Sequence, residues 1–448
     1  MKITNPNTGR KSNIIYTSDL KVEQKIGALI KNNNWEKFSL KKRMHYMKRF
    51  QNILKRNSNL ISDQISKETG KPRWESLSEV EASISKVNTT FTAIQYRLNY
   101  PTKNNIMTTI KPIGLIGVIG PFNFPLHIPN GQIIPALLTG NTVIVKSSEY
   151  TQKTTKIIES IWRETFNNCP CPIQFVYGEK SVGEKIVNHK EIDAIFFTGS
   201  STTGRKIEQK CLSLNKLCVL EMGGNNAMII EDDFNTITSN IIGSSFITAG
   251  QRCSCSRRII INKKISHIIP KLIKDIKSIN INKYPCKNHT FMGPVVLPQI
   301  KETILLKEFN HSETLLKSIN LSKGGLISPR VELTDINYDE ELFGPIIFIT
   351  LSNSFEESLA IANNTKYGLC TSIYTKERKK FIYGLKESNC GIINWNSPTT
   401  GASGLAPFGG VKESGNYRPA GFNMIDHCII PVGSKLITKP SNIDFRGS

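Results

Sequence analysis

Negative charge is what this sequence has least of. Its 448 residues hold 36 Asp and Glu against 58 Lys and Arg, a formal net charge of +22. Such an excess raises the question of a polyanionic partner. The basic residues, however, run through the whole chain, in stretches such as "IKNNNWEKFSLKKRMHYMKRF" and "IIINKKISHIIPKLIKDIKSININKY". They gather into no arm or recognition helix, and no nucleic-acid motif accompanies them. The abundance of Lys, Asn and Ile fits an AT-biased coding sequence better than nucleic-acid binding. No nucleic-acid partner is expected, and only a weak, salt-dependent pull on anionic ligands remains.

Long apolar runs are missing too. No stretch of 18 or more apolar residues exists, so no membrane span is expected. The start, "MKITNPNTGRKSNIIYTSD", lacks the apolar core of a secretory signal, and the protein reads as cytoplasmic. Its ten cysteines then belong in a reducing compartment, as free thiols. Two C-x-C pairs occur, Cys169 with Cys171 and Cys253 with Cys255, but neither has a second pair at metal-ligand spacing. No metal is expected. Internal repeats and low-complexity linkers are absent.

What is present is alternation. The length suggests two or three domains. Residues 36 to 97 carry apolar side chains at helical spacings, broken by Gly70 and Pro72. From Ile113 strand and helix alternate: "IGLIGVIG", "QIIPALLTG", "NTVIVKSSE", "TQKTTKIIESIWRETF", "IQFVYG", "EKSVGEKIVNHK", "AIFFTG", "TTGRKIEQKCLSL", "LCVLEMGG". That order predicts an α/β fold with a parallel sheet covered on both faces. Ligands of such sheets bind at the carboxyl ends of the strands. A second mixed block runs from Asn225 to about Phe422. In it "IIGSSFITAG" reads as a helix that Gly250 ends, and "RRIIINKK" as a strand.

Five places carry chemistry-bearing residues. Gly199-Ser200-Ser201-Thr202-Thr203-Gly204 joins a strand to a helix, where free backbone N–H groups suit a phosphate. A plain strand–helix turn explains it as well. Lys146 ends a buried strand with Glu149 just beyond, a pair able to bond ribose hydroxyls or simply to sit in solvent. Glu221 in "LEMGGNN" follows an apolar strand, where a carboxylate can act as a general base or as an ion-paired cap. Cys253 in "FITAGQRCSCSRR" sits in a loop between two elements, with arginines nearby that can favour a thiolate, while Cys255 enters the strand as a packed residue. Asn123 in "GPFNFPLHIPNG" lies in a stiff loop from which its amide can donate to an oxyanion, or serve as a turn residue.

Together and in this order the motifs resemble the aldehyde dehydrogenase superfamily. They run "PFNFP", "VIVKSSE", "FTGSSTTG", "LEMGGNN", "GQRC", "EELFGP", "NTKYGL" and "PFGGVKESG", and they cover nearly the whole chain. The resemblance implies a Rossmann-type NAD-binding domain over 1–97 and 113–223, an α/β catalytic domain over 224–422, and a small β oligomerisation element from 98–112 and 423–448. It implies that Cys253 is the nucleophile, that Glu221 activates water, and that Asn123 holds the oxyanion. It assigns NAD to Lys146 and Glu149, to Gly199 through Gly204 with Ser200 on the phosphate, to Glu341 on the nicotinamide ribose, and to Phe122 and Phe343 beside the ring.

Within the superfamily, "ETGKPRWES", "GIINWNSPTTGAS" and "APFGGVKESGNYRPA" are similar to the branch that oxidises a succinylated semialdehyde in arginine breakdown. A small anionic aldehyde is therefore the expected substrate, with Arg252, Arg418 and His127 as candidates to bind it. A structural ion pair explains the two arginines equally. The family also implies a homodimer or larger homo-oligomer. Departures are "KSSE" where the family has K-P-S-E, an early strand pair that is expected to be missing, and a shortened stretch near 284 to 335. Competing readings are another semialdehyde dehydrogenase, an acylating relative (disfavoured by Glu221), and a drifted non-catalytic protein.

Overall fold

The computed structural model describes residues 2–31, 34–286 and 289–439. Two sheets organise it. The first has five strands, all parallel, in the order Ile173–Val176, Thr142–Lys146, Leu115–Ile119, Ala194–Gly199 and Leu217–Met222. Every residue of Leu115–Ile119 and Thr142–Lys146 is buried, because helices cover both faces. On one face the helices Leu40–Arg56, Arg73–Arg97, His127–Leu138 and Gln152–Thr165 pack Phe50, Val80, Ile134 and Trp162 over Val118, Val143 and Phe196. On the other, Asp19–Lys31, Lys180–Asn188 and Ser201–Ser213 set Ile26, Ile186 and Ile207 against Ile144 and Ile195.

Sequence order reverses at the centre of this sheet. From Leu115–Ile119 the chain builds outward to one side, then returns to place Ala194–Gly199 on the other. The loops leaving those two strands diverge and open a crevice at their carboxyl ends. The loop with Asn123 and the Gly199–Gly204 turn are these two loops.

The second sheet has seven strands: Ser312–Leu316, Arg330–Thr334, Ile346–Ser352, Ser256–Asn262, Asn226–Ile230, Cys370–Tyr374 and Ile392–Trp395. Only the edge strand Ser312–Leu316 runs antiparallel. The α/β class read from the alternation is thus the class adopted. Asn226–Ile230 and Ser256–Asn262 lie side by side, which brings the segments preceding them, with Glu221 and Cys253, to one end of the sheet.

Two expectations change. The helix read through "IIGSSFITAG" stops at Phe246. Thr248, Ala249 and Gly250 then adopt left-handed backbone, with φ of 55°, 52° and 70°. An early strand pair does exist: Lys2–Thr4 pairs antiparallel with Lys11–Asn13. The chain between them docks on the second sheet's loops, with the Gly325 N–H donating to the Pro6 carbonyl at 2.8 Å. The stretch near 284 to 335 keeps a helix, Pro298–Leu306, and two strands of the second sheet; residues 287 and 288 fall outside the described residues.

A separate two-stranded ribbon pairs Ile106–Pro112 with Ile429–Lys435. The segment Phe422–Cys428 ahead of it is a 3-10 turn whose Met424, Ile425 and Cys428 pack into the first core. A boundary at 423 would cut through that packing. Residues 440–448 of the expected oligomerisation strands lie outside the described residues.

Candidate active site

Cys253 stands between the left-handed turn and strand Ser256–Asn262. The turn is costly, since non-glycine residues in that conformation lose about 1–2 kcal/mol each. Surrounding bonds hold it. The Thr248 hydroxyl donates to Glu75 Oε1, Arg252 Nε donates to Thr248 Oγ1 at 2.8 Å, and the Gln251 N–H donates to the Thr248 carbonyl at 3.0 Å. Gly250 has no substitute: a Cβ there would meet the Gly344 carbonyl oxygen at 2.2 Å. On its other side, Asn226 Nδ2 donates to the carbonyls of Cys253 at 2.6 Å and Cys255 at 2.9 Å. The loop is clamped on both sides of Cys253.

Glu221 belongs to strand Leu217–Met222 and is 6 % exposed. The Cys253 thiol donates to Glu221 Oε2 across 3.9 Å, and Glu221 Oε1 is buried with no partner. Burial pushes the Glu221 carboxyl up to about 8, assisted by Glu341 and opposed by the Cys253 thiol. Burial first, then Glu221 and Glu341, pushes the Cys253 thiol well above its ordinary range. The expectation that neighbouring arginines favour a thiolate is corrected by this geometry. Arg252 and Arg257 are engaged elsewhere, Arg257 Nη2 donating to the Gly250 carbonyl, and the nearest charges to Cys253 are acidic. Glu221 Oε2 is the acceptor that the structure places beside the Cys253 thiol. Cys255 is 0 % exposed and has no route to solvent.

Asn123 is buried, and its Nδ2 donates to the Gln251 carbonyl at 2.8 Å. The structure thus brings Asn123, Glu221 and Cys253 together from three distant segments.

Around them lie the residues expected to hold a dinucleotide. Lys146 Nζ and Glu149 Oε2 are 3.1 Å apart at the end of strand Thr142–Lys146. Ser200 caps helix Ser201–Ser213, its Oγ accepting from the Thr203 N–H at 3.4 Å. Ser201 Oγ is taken by the Glu413 carbonyl at 2.7 Å, Thr202 and Thr203 are exposed, and Gly199 and Gly204 sit at the turn's two ends. Phe122 and Phe343 meet edge to face at 6.0 Å. Glu341 Oε1 accepts from the Gly224 N–H at 3.1 Å, and a Cβ on Gly223 would lie 1.8 Å from Glu341 Oε2. Burial pushes Glu341 up to about 7, with Arg257 opposing. A helix N-terminus at the switch point, a ribose-bonding pair and an aromatic pair together fit a dinucleotide.

The three substrate candidates separate. Arg252 is committed to an ion pair, Nη2 to Glu75 Oε1 at 2.8 Å, with its guanidinium 5.0 Å from the Phe124 ring centre. Its charge is already balanced, so its role is to hold the turn. Arg418 is exposed and lies toward Cys218 and His427, along the backbone that leaves Glu221 at Gly415. His127 begins helix His127–Leu138 with Nδ1 buried and unpartnered, and remains in the neighbourhood of Arg252 and Lys71.

Sequence reading passed over Glu75 and Glu79. Glu79 Oε2 pairs with Lys71 at 2.6 Å, and its Oε1 accepts from the Leu126 and His127 N–H groups at 3.0 and 3.2 Å. Helix Arg73–Arg97 thus fixes the Asn123 loop with one carboxylate and the Cys253 loop with the other. Their i, i+4 spacing, which puts two carboxylates on one helical face, was the available signal.

The profile described as the aldehyde dehydrogenase family matches residues 1–430. N-succinylglutamate 5-semialdehyde dehydrogenase of Serratia proteamaculans (strain 568) is 36% identical over 430 residues, covering 91% of this chain and 87% of that protein. Among solved structures, betaine aldehyde dehydrogenase of Staphylococcus aureus in complex with NAD+ superposes with a TM-score of 0.92 at 23% identity, covering 100% of this chain and 93% of that one. An aldehyde dehydrogenase of Bartonella henselae gives a TM-score of 0.91 at 23% identity, over 97% and 95%.

Proposed function

The chain belongs to the aldehyde dehydrogenase family, and from that premise we propose that it oxidises N-succinyl-L-glutamate 5-semialdehyde to N-succinyl-L-glutamate with NAD. The observation that carries the chemistry is the Cys253–Glu221 contact, 3.9 Å, in the crevice at the switch point.

Glu221, ionised, takes the Cys253 proton and passes it to solvent. The thiolate attacks the aldehyde carbon; a C–S bond forms and the carbonyl electron pair moves to oxygen. Asn123 Nδ2 and the Cys253 N–H donate to that oxygen, on a loop that Glu75 and Asn226 hold in place. NAD, when bound by Lys146, Glu149, Ser200 and Glu341 with Phe122 and Phe343 at the ring, supplies the acceptor for the hydride that leaves the substrate carbon. A thioester on Cys253 results. Glu221 then removes a proton from water, the hydroxide adds to the thioester carbon, and the C–S bond breaks to release the acid. Glu149 favours NAD over NADP, because a 2′-phosphate beside a carboxylate is repelled.

The test is NADH formation over a panel of aldehydes, with N-succinylglutamate semialdehyde included and NAD and NADP compared. Turnover is expected in the wild type and absent in Cys253→Ala; a wild type that reduces NAD with no aldehyde overturns the reading.

Assembly is proposed through the ribbon of Ile106–Pro112 and Ile429–Lys435. It exposes Ile106, Ile110 and Ile430 beside an open strand edge, a surface suited to a second copy.

A further inference from the structure

Helix Arg73–Arg97 presents three buried charged side chains, Glu75, Glu79 and Lys86. At 3.6 residues per turn they fall within about 40° of one another. The two carboxylates have cationic partners, Arg252 and Lys71. Lys86 has no such partner. Its side chain is 7 % exposed, and its ammonium donates one hydrogen bond, to the Gly421 carbonyl at 2.9 Å. Among the described residues no carboxylate pairs with it. The nearby Cys428 thiol is held protonated by burial and supplies no charge. A lysine has three N–H donors, and a buried cation without a counter-charge is expensive to keep. Burial accordingly pushes Lys86 down to about 8.

A glycine faces this lysine. Gly131, about 6 Å along its helix from His127, has no side chain, and a Cβ there would lie 4.0 Å from Lys86 Cε. At the start of the same helix His127 buries Nδ1 without a partner. Burial, and then the positive charges of Lys86, Lys71 and Arg252, push that imidazole down to about 4, so it is neutral, and in the tautomer protonated at Nδ1 it presents a donor there. An ammonium with N–H groups to spare and an unpartnered ring nitrogen able to carry a proton, beside a position without a side chain, describe a place for an anion.

We propose that Lys86, with His127 Nδ1 beside it and Gly131 leaving the room, is the subsite that receives a carboxylate of the aldehyde substrate. The inference rests on the aldehyde dehydrogenase reading above and names its substrate class, a short aldehyde that also carries a carboxylate. The carboxylate supplies the missing counter-charge and takes the N–H groups that Gly421 leaves free. Arg252 and Arg418 have no part in this recognition.

The test compares wild type, Lys86→Met and Lys86→Arg on N-succinylglutamate semialdehyde and on hexanal, a neutral aldehyde. Loss of a charge-assisted bond predicts a fall in kcat/KM of about tenfold to a hundredfold for the carboxylated substrate in Lys86→Met. The fall is expected mainly in KM, with hexanal and the KM for NAD unchanged and Lys86→Arg retaining the preference. Equal losses on both aldehydes, or none on either, overturn the proposal. So does a wild type that turns over both without preference, although that result leaves aldehyde oxidation standing. Thermal unfolding with added N-succinyl-L-glutamate reads the subsite without turnover. A saturable rise in Tm in wild type, lost in Lys86→Met, supports it even if no aldehyde is oxidised; no rise in wild type overturns it.

Discussion

Replacing Glu221 by Gln should make the protein more resistant to unfolding at high pH while abolishing turnover. In the unfolded chain this carboxyl ionises at its ordinary 4.5, and in the folded protein at about 8. A group raised in this way stabilises the fold fully below 4.5, and that contribution is lost as pH climbs toward 8. Between pH 5 and pH 9 the wild type should therefore lose about 4 kcal/mol that Glu221→Gln does not lose. The figure is an upper estimate, because relaxation of the site eases the penalty. Other titrating groups are shared by both proteins and largely cancel. Urea unfolding of wild type and Glu221→Gln, followed by tryptophan fluorescence at pH 5, 7 and 9, measures the divergence. Curves that stay parallel across this range would refute the claim that Glu221 is buried as an acid awaiting ionisation. On the kinetic side, wild-type kcat/KM should rise with pH through about 8, the limb for ionising Glu221. Glu221→Gln should form its thioester slowly and hydrolyse it more slowly still.

Further outcomes follow from neighbouring contacts. Iodoacetamide should modify Cys253 slowly at pH 7 without cofactor, about tenfold faster per pH unit up to pH 9, and Cys255 not at all; peptide mass spectrometry that finds pH-independent labelling contradicts the acidic surroundings of the thiol. Glu75→Gln leaves Arg252 without its counter-charge and should lower stability by about 3 kcal/mol, read as a drop in urea midpoint, with kcat falling as the left-handed turn loosens. Gly223→Ala forces Glu341 aside and should weaken NADH binding, followed by fluorescence titration, while circular dichroism stays unchanged.

The alternation from Ile113 to Gly224 was readable because each buried strand of a parallel sheet is an apolar run, and each covering helix has one apolar face. The difference in burial between Cys253 and Cys255 was readable too, since one precedes the strand and the other joins its packing. What alternation cannot report is the partner of a charged side chain. For Arg252 a substrate contact and an ion pair read equally well, and the partner that decides, Glu75, lies 177 positions away in sequence. Nothing in the sequence singles out Lys86, yet it is buried and bonds Gly421 across 335 positions.

The sequence by itself determined the parallel α/β architecture and the order of the motifs, because periodicity and turn chemistry are local properties of a few residues. Only the tertiary structure decided that the Cys253 thiol faces two carboxylates, that Arg252 is already neutralised, and that Lys86 is the buried cation left without a counter-charge. Those outcomes depend on which distant segments pack together and on how much water remains between them, and both are set by the assembled core.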